Sequence, residues 1–269
     1  MSDFGLRLRL SRLFDPTSGR TVIVPVDDSL ISGPTGGLVD VPSLVSSVCQ
    51  AGANAVLGFS SITRTDPGSF GSSAFIYNLT ASTVGPTHTT KVQVRAVETA
   101  VRQGADAVAF HINLGSQHEP EMLRSAGGIV DRCADLGIPS LGILYPRREG
   151  ARGDDNYDQL REAEPESFAL LLSRAVRVGV ELGADLIKTQ FVPGDGLFES
   201  VVRSALGVPV VIAGGPKVER EAALQMARDA VDAGAAGVSF GRNVFMRTSP
   251  ASFVSELRQV VNRPRDGVA

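Results

Sequence analysis

Residues 182–191 read LGADLIKTQF. Gly183 is suited to ending a helix, and an apolar, β-type run follows it at once, so this segment is the seam between a helix and the next strand. The seam recurs as AGANAV at 51–56, QGADAV at 103–108 and AGAAGV at 233–238. Helices that hand over repeatedly to apolar strands indicate a parallel sheet, because parallel neighbours need a long crossover and that crossover is usually a helix.

Working outward from the seams gives eight strand candidates, at 21–27, 54–59, 74–79, 106–112, 139–145, 185–191, 209–213 and 236–240. Helical patterns fill most intervals. At 167–183, Phe168, Leu171, Leu172, Val176 and Val180 fall on one apolar stripe. The connection from the second strand to the third is irregular and rich in Ser and Gly. An amphipathic helix at about 251–262 ends the series, and a helical extension at about 4–14 precedes it. The polar stretch PRREGARGDDNYDQLREAEPES at 146–167 reads as one long loop after the fifth strand, a candidate lid. An open doubly wound sheet carries the same alternation, but no GxGxxG follows the first strand. The expected fold is α/β: a closed (β/α)8 TIM barrel forming a single domain over residues 1–269.

Composition narrows the function. The 269 residues suffice for one large barrel, and 43% apolar with 20% charged residues is ordinary for a globular core. A net charge of -3 argues against nucleic-acid and membrane-surface partners, which call for a basic face, while leaving room for small anions. The two cysteines, Cys49 and Cys133, show no metal spacing and suit a reducing, cytoplasmic setting. The N-terminus lacks the continuous apolar stretch of a secretory signal, and no run is long and apolar enough to span a membrane.

In a barrel, chemistry belongs at the C-terminal ends of strands. Asp27 after the first strand, Tyr145 after the fifth and Lys188 in the sixth stand out there. Lysine is scarce in this chain, occurring only as Lys91, Lys188 and Lys217. An amine between barrel interior and helices is desolvated, and desolvation favours the neutral form that attacks carbonyls to give a Schiff base. The alternative is a lysine snorkelling from a strand end. A tyrosine and an aspartate nearby are suitable proton carriers, although each taken alone also fits packing or helix capping. Gly214 and Gly215 after the seventh strand, with Ser239, Gly241 and Arg242 after the eighth, form a candidate phosphate site; two tight turns are the bland reading. His88, His111 and His118 lack ligand spacing, so neither metal nor cofactor is expected. His111 either faces the mouth or serves as a hydrogen-bonded structural residue.

With these residues in view, RLSRLFDPTSGRTVIVPVDDSLISGPTGGLVD, ASTVGPTHTTKV, GADAVAFHINLG, ILYPR, GADLIKT, VIAGGPK and GAAGVSFGRNVF resemble the aldolase family that unites archaeal-type class I fructose-bisphosphate aldolase, 2-amino-3,7-dideoxy-D-threo-hept-6-ulosonate synthase and autoinducer-2 phosphate thiolase. The resemblance runs over nearly the whole chain. It implies a Schiff base on Lys188, acid/base roles for Tyr145 and Asp27, phosphate contacts from the glycine turns and Arg242, a phosphorylated small-molecule substrate, and a homo-oligomer, commonly a decamer. The synthases look most similar. Departures lie at the mouth: Asp27-Asp28-Ser29 stands where relatives tend to read Asp-His-Gly, Ser60-Ser61 where they carry Lys-Gly, and Asn78 where the synthases have histidine. Asp28, Ser60, Asn78, His111 and Arg147 are therefore the expected specificity residues. Fructose-bisphosphate cleavage, thiolase-type acyl transfer and a non-catalytic sugar-phosphate-binding role are the alternatives.

Overall fold

The computed structural model describes residues 4–82, 88–151 and 153–264. Residues 83–87 of the stretch ASTVGPTHTTKV, Arg152 of the expected loop and the two chain ends lie outside the described residues. Eight parallel strands close into a barrel: β1 (Thr21–Pro25), β2 (Ala55–Gly58), β3 (Ala74–Asn78), β4 (Ala107–Leu114), β5 (Ser140–Pro146), β6 (Leu186–Thr189), β7 (Val210–Ala213) and β8 (Gly237–Ser239). They follow one another around the ring in chain order, and β8 pairs with β1 to complete it. The expected barrel is the observed one; six of its eight strands fall within the segments read from the sequence, and β4 and β5 run past theirs, to Leu114 and Pro146.

The seams explain why the chain folds this way. Gly52, Gly104, Gly183 and Gly234 all take left-handed φ, between 83° and 95°, which turns each helix end back toward the barrel at no steric cost. The polar residue two places later then ties the new strand to its neighbour. Asn54 accepts the Val22 N–H at 2.8 Å, Asp106 the Phe75 N–H at 3.1 Å and Asp185 the Ser140 N–H at 2.9 Å. In the fourth seam, which has alanine there, the Ala236 carbonyl accepts the Thr21 N–H instead.

Two apolar layers result. Alternate strand residues, among them Ile23, Leu57, Ile76, Ala109, Leu141, Ile143, Leu186 and Val211, fill the barrel interior. The intervening strand residues meet the surrounding helices: Phe168, Leu172 and Val176 of the helix Pro165–Leu182 are buried there, as the stripe required. The N-terminal helix Phe4–Arg12 lies across the N-terminal ends of the strands. Arg9 donates to the Gly137 carbonyl at 2.7 Å, Arg12 pairs with Asp106 at 2.9 Å, and Leu13, 1% exposed, plugs the interior from below.

Three local features differ from expectation. The stretch 146–167 is not one loop: Arg148–Gly150 and Gly153–Asp155 pair as an antiparallel hairpin, and Asp158–Ala163 forms a helix. Opposite charges placed across the hairpin, Arg148 and Asp155 at 2.8 Å, stabilise strands that polarity alone concealed. A second ribbon, Thr80–Ala81 with Val92–Gln93, projects beyond β3. Finally β4 runs on to Leu114, two residues past its expected end. Between β2 and β3 the chain makes 3-10 turns at Ile62–Arg64 and Pro67–Phe70, in keeping with its irregular composition.

Candidate active site

The inward face of the barrel carries apolar residues through its lower layers and polar ones at the C-terminal rim. On β6, Leu186 is inward, so by the two-residue period Lys188 is inward as well. Only 7% of Lys188 is exposed. Its registry partners are Ile143 on β5 and Val211 on β7, both in the interior layer. Tyr145 stands two residues beyond Ile143 on the same face, which sets it diagonally above the lysine. Thr189, on the opposite face of β6, donates to the Leu144 carbonyl at 2.9 Å and locks the two strands in this register.

Asp27 completes the group. It leaves β1 in phase with Ile23, and Asn78 on β3 donates to its carboxylate at 2.8 Å. Burial pushes the Asp27 carboxyl above its usual range, and the Lys188 charge and the Asn78 hydrogen bond pull it partly back. His111 packs edge-on against Tyr145 with ring centroids 5.0 Å apart. Desolvation, aided by the charges of Lys91, Arg147 and Lys188, holds His111 well below its ordinary pKa, so the ring is neutral, and its Nε2 is buried without a partner. Arg147 leans over the other side of Tyr145, with its guanidinium 5.9 Å from the ring centre, and is anchored by Asn156 at 2.6 Å.

The turns after β7 and β8 meet beside this group. A side chain at Gly214 would strike the Phe240 ring at 2.8 Å, and Gly215 has φ of +63° with open space above it. Asn243 fixes both turns, donating to the Gly214 and Pro216 carbonyls at 2.8 and 3.0 Å and accepting the Val218 N–H. Ser239 is buried with an unpartnered hydroxyl. Arg242 is exposed; burial lowers the pKa of Arg147, and the Arg242 charge acts on it in the same direction.

Of the remaining expected residues, Asp28 bonds Ser32 at 2.9 Å while its charge acts on Asp27. Ser60 is not brought to the group: its hydroxyl lies 2.6 Å from that of Tyr77, whose side chain belongs to the outer apolar layer. The irregular turn after β2 carries it away from the barrel axis.

Sequence reasoning overlooked Lys91, Asn113, Asp154 and Asn243. Lys91 is 7% exposed, and its Nζ donates to Ser82 at 2.5 Å. The strap that bears it is tied at His88 and Thr89 to Asn113 on β4, at 2.9 and 2.8 Å, and its His88 N–H donates to Asp154 of the hairpin. The scarcity of lysine was the one signal that could have exposed Lys91. No group of side chains suited to a metal occurs among the described residues, and no described helix is long and apolar enough to cross a membrane. A separate cavity at the opposite end of the barrel, lined by Asp15, Arg20, Arg258 and Asn262, lacks the lysine, tyrosine and histidine gathered at the mouth.

Comparison with known proteins agrees with the fold. A family model described as DeoC/LacD family aldolase matches residues 21–247. The chain is 39% identical to 2-amino-3,7-dideoxy-D-threo-hept-6-ulosonate synthase of Halobacterium salinarum, over 99% of this chain and 95% of the relative. It is 36% identical to 2-amino-4,5-dihydroxy-6-oxo-7-(phosphonooxy)heptanoate synthase of Streptomyces griseus, over 96% and 91%. A solved Schiff-base-forming fructose-1,6-bisphosphate aldolase superposes with a TM-score of 0.80 at 26% identity, covering 95% of this chain and 99% of the other.

Proposed function

The chain belongs to the DeoC/LacD family of aldolases, and from that membership we propose a class I synthase that joins a phosphorylated three-carbon ketone to an aldehyde through a Schiff base on Lys188. The observation that carries this reading is Lys188 itself, buried and inward on β6, with Tyr145 diagonal to it and Asp27 within electrostatic reach.

Each residue has one task. The Lys188 amine attacks the donor ketone, and Tyr145 supplies the proton with which the carbinolamine sheds its oxygen as water. The resulting iminium withdraws electrons from the neighbouring carbon, which gives up a proton to the Tyr145 phenolate and becomes an enamine. That carbon attacks the acceptor aldehyde, forming the carbon–carbon bond, and the new alkoxide takes its proton from Asp27. Burial raises the affinity of Asp27 for that proton. Water then hydrolyses the iminium and releases the amine. Neutral His111 holds the Tyr145 ring edge-on and keeps it aimed at Lys188.

The phosphate rests on Gly214, Gly215, Ser239 and Gly241, between Arg242 and Arg147. Two guanidiniums that repel each other across this space, with an unpartnered Ser239 hydroxyl below, suit a dianion. The name of the Streptomyces griseus relative describes the product class: a seven-carbon chain with a phosphate on C7, a ketone on C6 and a carboxylate at C1. An enamine built on C5–C7 closes the C4–C5 bond, so the acceptor is a four-carbon aldehyde bearing an amino group and a carboxylate. The same reading makes the chain a homo-oligomer of the cytoplasm, and light scattering of the purified protein reads the oligomeric state.

Borohydride reduction in the presence of dihydroxyacetone phosphate tests the chemistry. The expected result is an intact-mass increase of one reduced adduct, mapped to Lys188 and absent from Lys188→Met together with turnover. Failure of every phosphorylated ketone to leave an adduct overturns the Schiff-base assignment.

A further inference from the structure

Lys91 is a buried cation that the reaction as written leaves unused. Its ammonium has three donors, yet among the described residues its one hydrogen bond goes to the neutral hydroxyl of Ser82, and no carboxylate lies within 4.0 Å of it. Buried charges are normally paired, because an unpaired one forfeits its hydration. The protein nevertheless holds this lysine rigidly: Asn113 and Asp154 clamp the strap on either side of His88, and the side chain is 7% exposed.

Its position in the ring is equally specific. Lys91 reaches the mouth from the β3 side, whereas the Gly214–Gly215 turn follows β7, four places round the eight-strand ring and so diametrically opposite. The charges of Lys91 and Lys188 both act on His111, whose strand β4 lies between β3 and β6 in the ring. A substrate whose phosphate lies at β7 and β8 and whose ketone is bound to Lys188 runs its far end toward β3.

We propose that Lys91 selects the acceptor, its ammonium binding the carboxylate of an aldehyde substrate at the end remote from the phosphate. This assignment rests on the synthase reading above and adds to it the second anion site. The local charges are consistent with it. Burial and the neighbouring Arg147 bring Lys91 down to about 8, while Asp27, Asp154 and Asp28 draw it partly back, so the ammonium persists at neutral pH and a bound carboxylate reinforces it.

The test uses the full chain with dihydroxyacetone phosphate as donor and two four-carbon acceptors, 2-amino-4-oxobutanoate and uncharged butanal. In Lys91→Gln the donor adduct on Lys188 should form as in the unaltered protein, which also establishes that the variant is folded. The KM for 2-amino-4-oxobutanoate should rise about 30-fold, the loss of one charge-assisted contact, while that for butanal stays unchanged. In the unaltered protein kcat/KM for the charged acceptor should fall above about pH 8, and in Lys91→Arg that decline should move to higher pH. Equal losses with both acceptors, or no loss with either, overturn the proposal. A missing donor adduct in the unaltered protein overturns the synthase reading, and the acceptor assignment falls with it.

Discussion

Asp27 shows how three contacts set one residue's role. Burial raises its carboxyl, while Lys188 and Asn78 oppose the rise. A carboxyl that binds its proton more tightly in the fold than in the unfolded chain favours the protonated form on folding, and its ionised form costs stability above the raised value. In the cleavage direction Asp27 must be ionised to take the hydroxyl proton, so kcat/KM should fall as the pH drops through that value, higher than for an ordinary aspartate. Removing the Asn78 hydrogen bond removes a stabiliser of the anion. Asn78→Ala should therefore move the acid limb to higher pH, and Asp27→Asn should cost about 100-fold or more in kcat. An acid limb that stays in place in Asn78→Ala identifies a different titrating group. Asn78 was legible as a mouth residue because it ends a strand that the pattern located and because the family resemblance marked it as a departure from the histidine of the synthases. Lys91 was not, because its strap belongs to no strand and burial of an irregular segment leaves no periodic trace.

At the scale of the element, the seam is a two-part device: a left-handed glycine followed, two residues later, by an acceptor for the neighbouring strand. Pattern revealed the first part and the strand after it; the second emerged only with strand pairing, because Asn54, Asp106 and Asp185 accept from β1, β3 and β5, which are not the strands they begin. The same blindness to pairing hid the hairpin at 148–155, whose stabilising charges are cross-strand. The seam is testable away from the site. Asn54→Ala leaves the Val22 N–H, buried between barrel and helices, without its acceptor, which should cost about 1–3 kcal/mol of stability. Urea unfolding should show a lower midpoint at unchanged slope, with kcat intact. A variant as stable as the parent would assign strand register to the apolar layers alone.

The whole barrel divides labour between its ends. At the C-terminal rim it tolerates a desolvated lysine, a neutral histidine and opposed arginines, all of which work against folding. At the N-terminal end the helix Phe4–Arg12 delivers Leu13 into the base of the interior layer, which seals the apolar column below the site. Leu13→Ala should open a cavity there and cost about 2–5 kcal/mol. The barrel length separates Leu13 from Lys188, so the rate of donor-adduct formation should not change. The two cysteines provide the readout. Both are buried, and Cys133 is pushed up to about 12, first by desolvation and then by Asp185, so neither thiol reacts in the folded state. Their alkylation at fixed pH therefore reports the open population. Under conditions where closing outpaces labelling, it should accelerate about 30-fold or more in Leu13→Ala. Accelerated labelling with adduct formation intact places stability and chemistry at opposite ends. Loss of the adduct in step with labelling would show that the plug holds the catalytic rim as well.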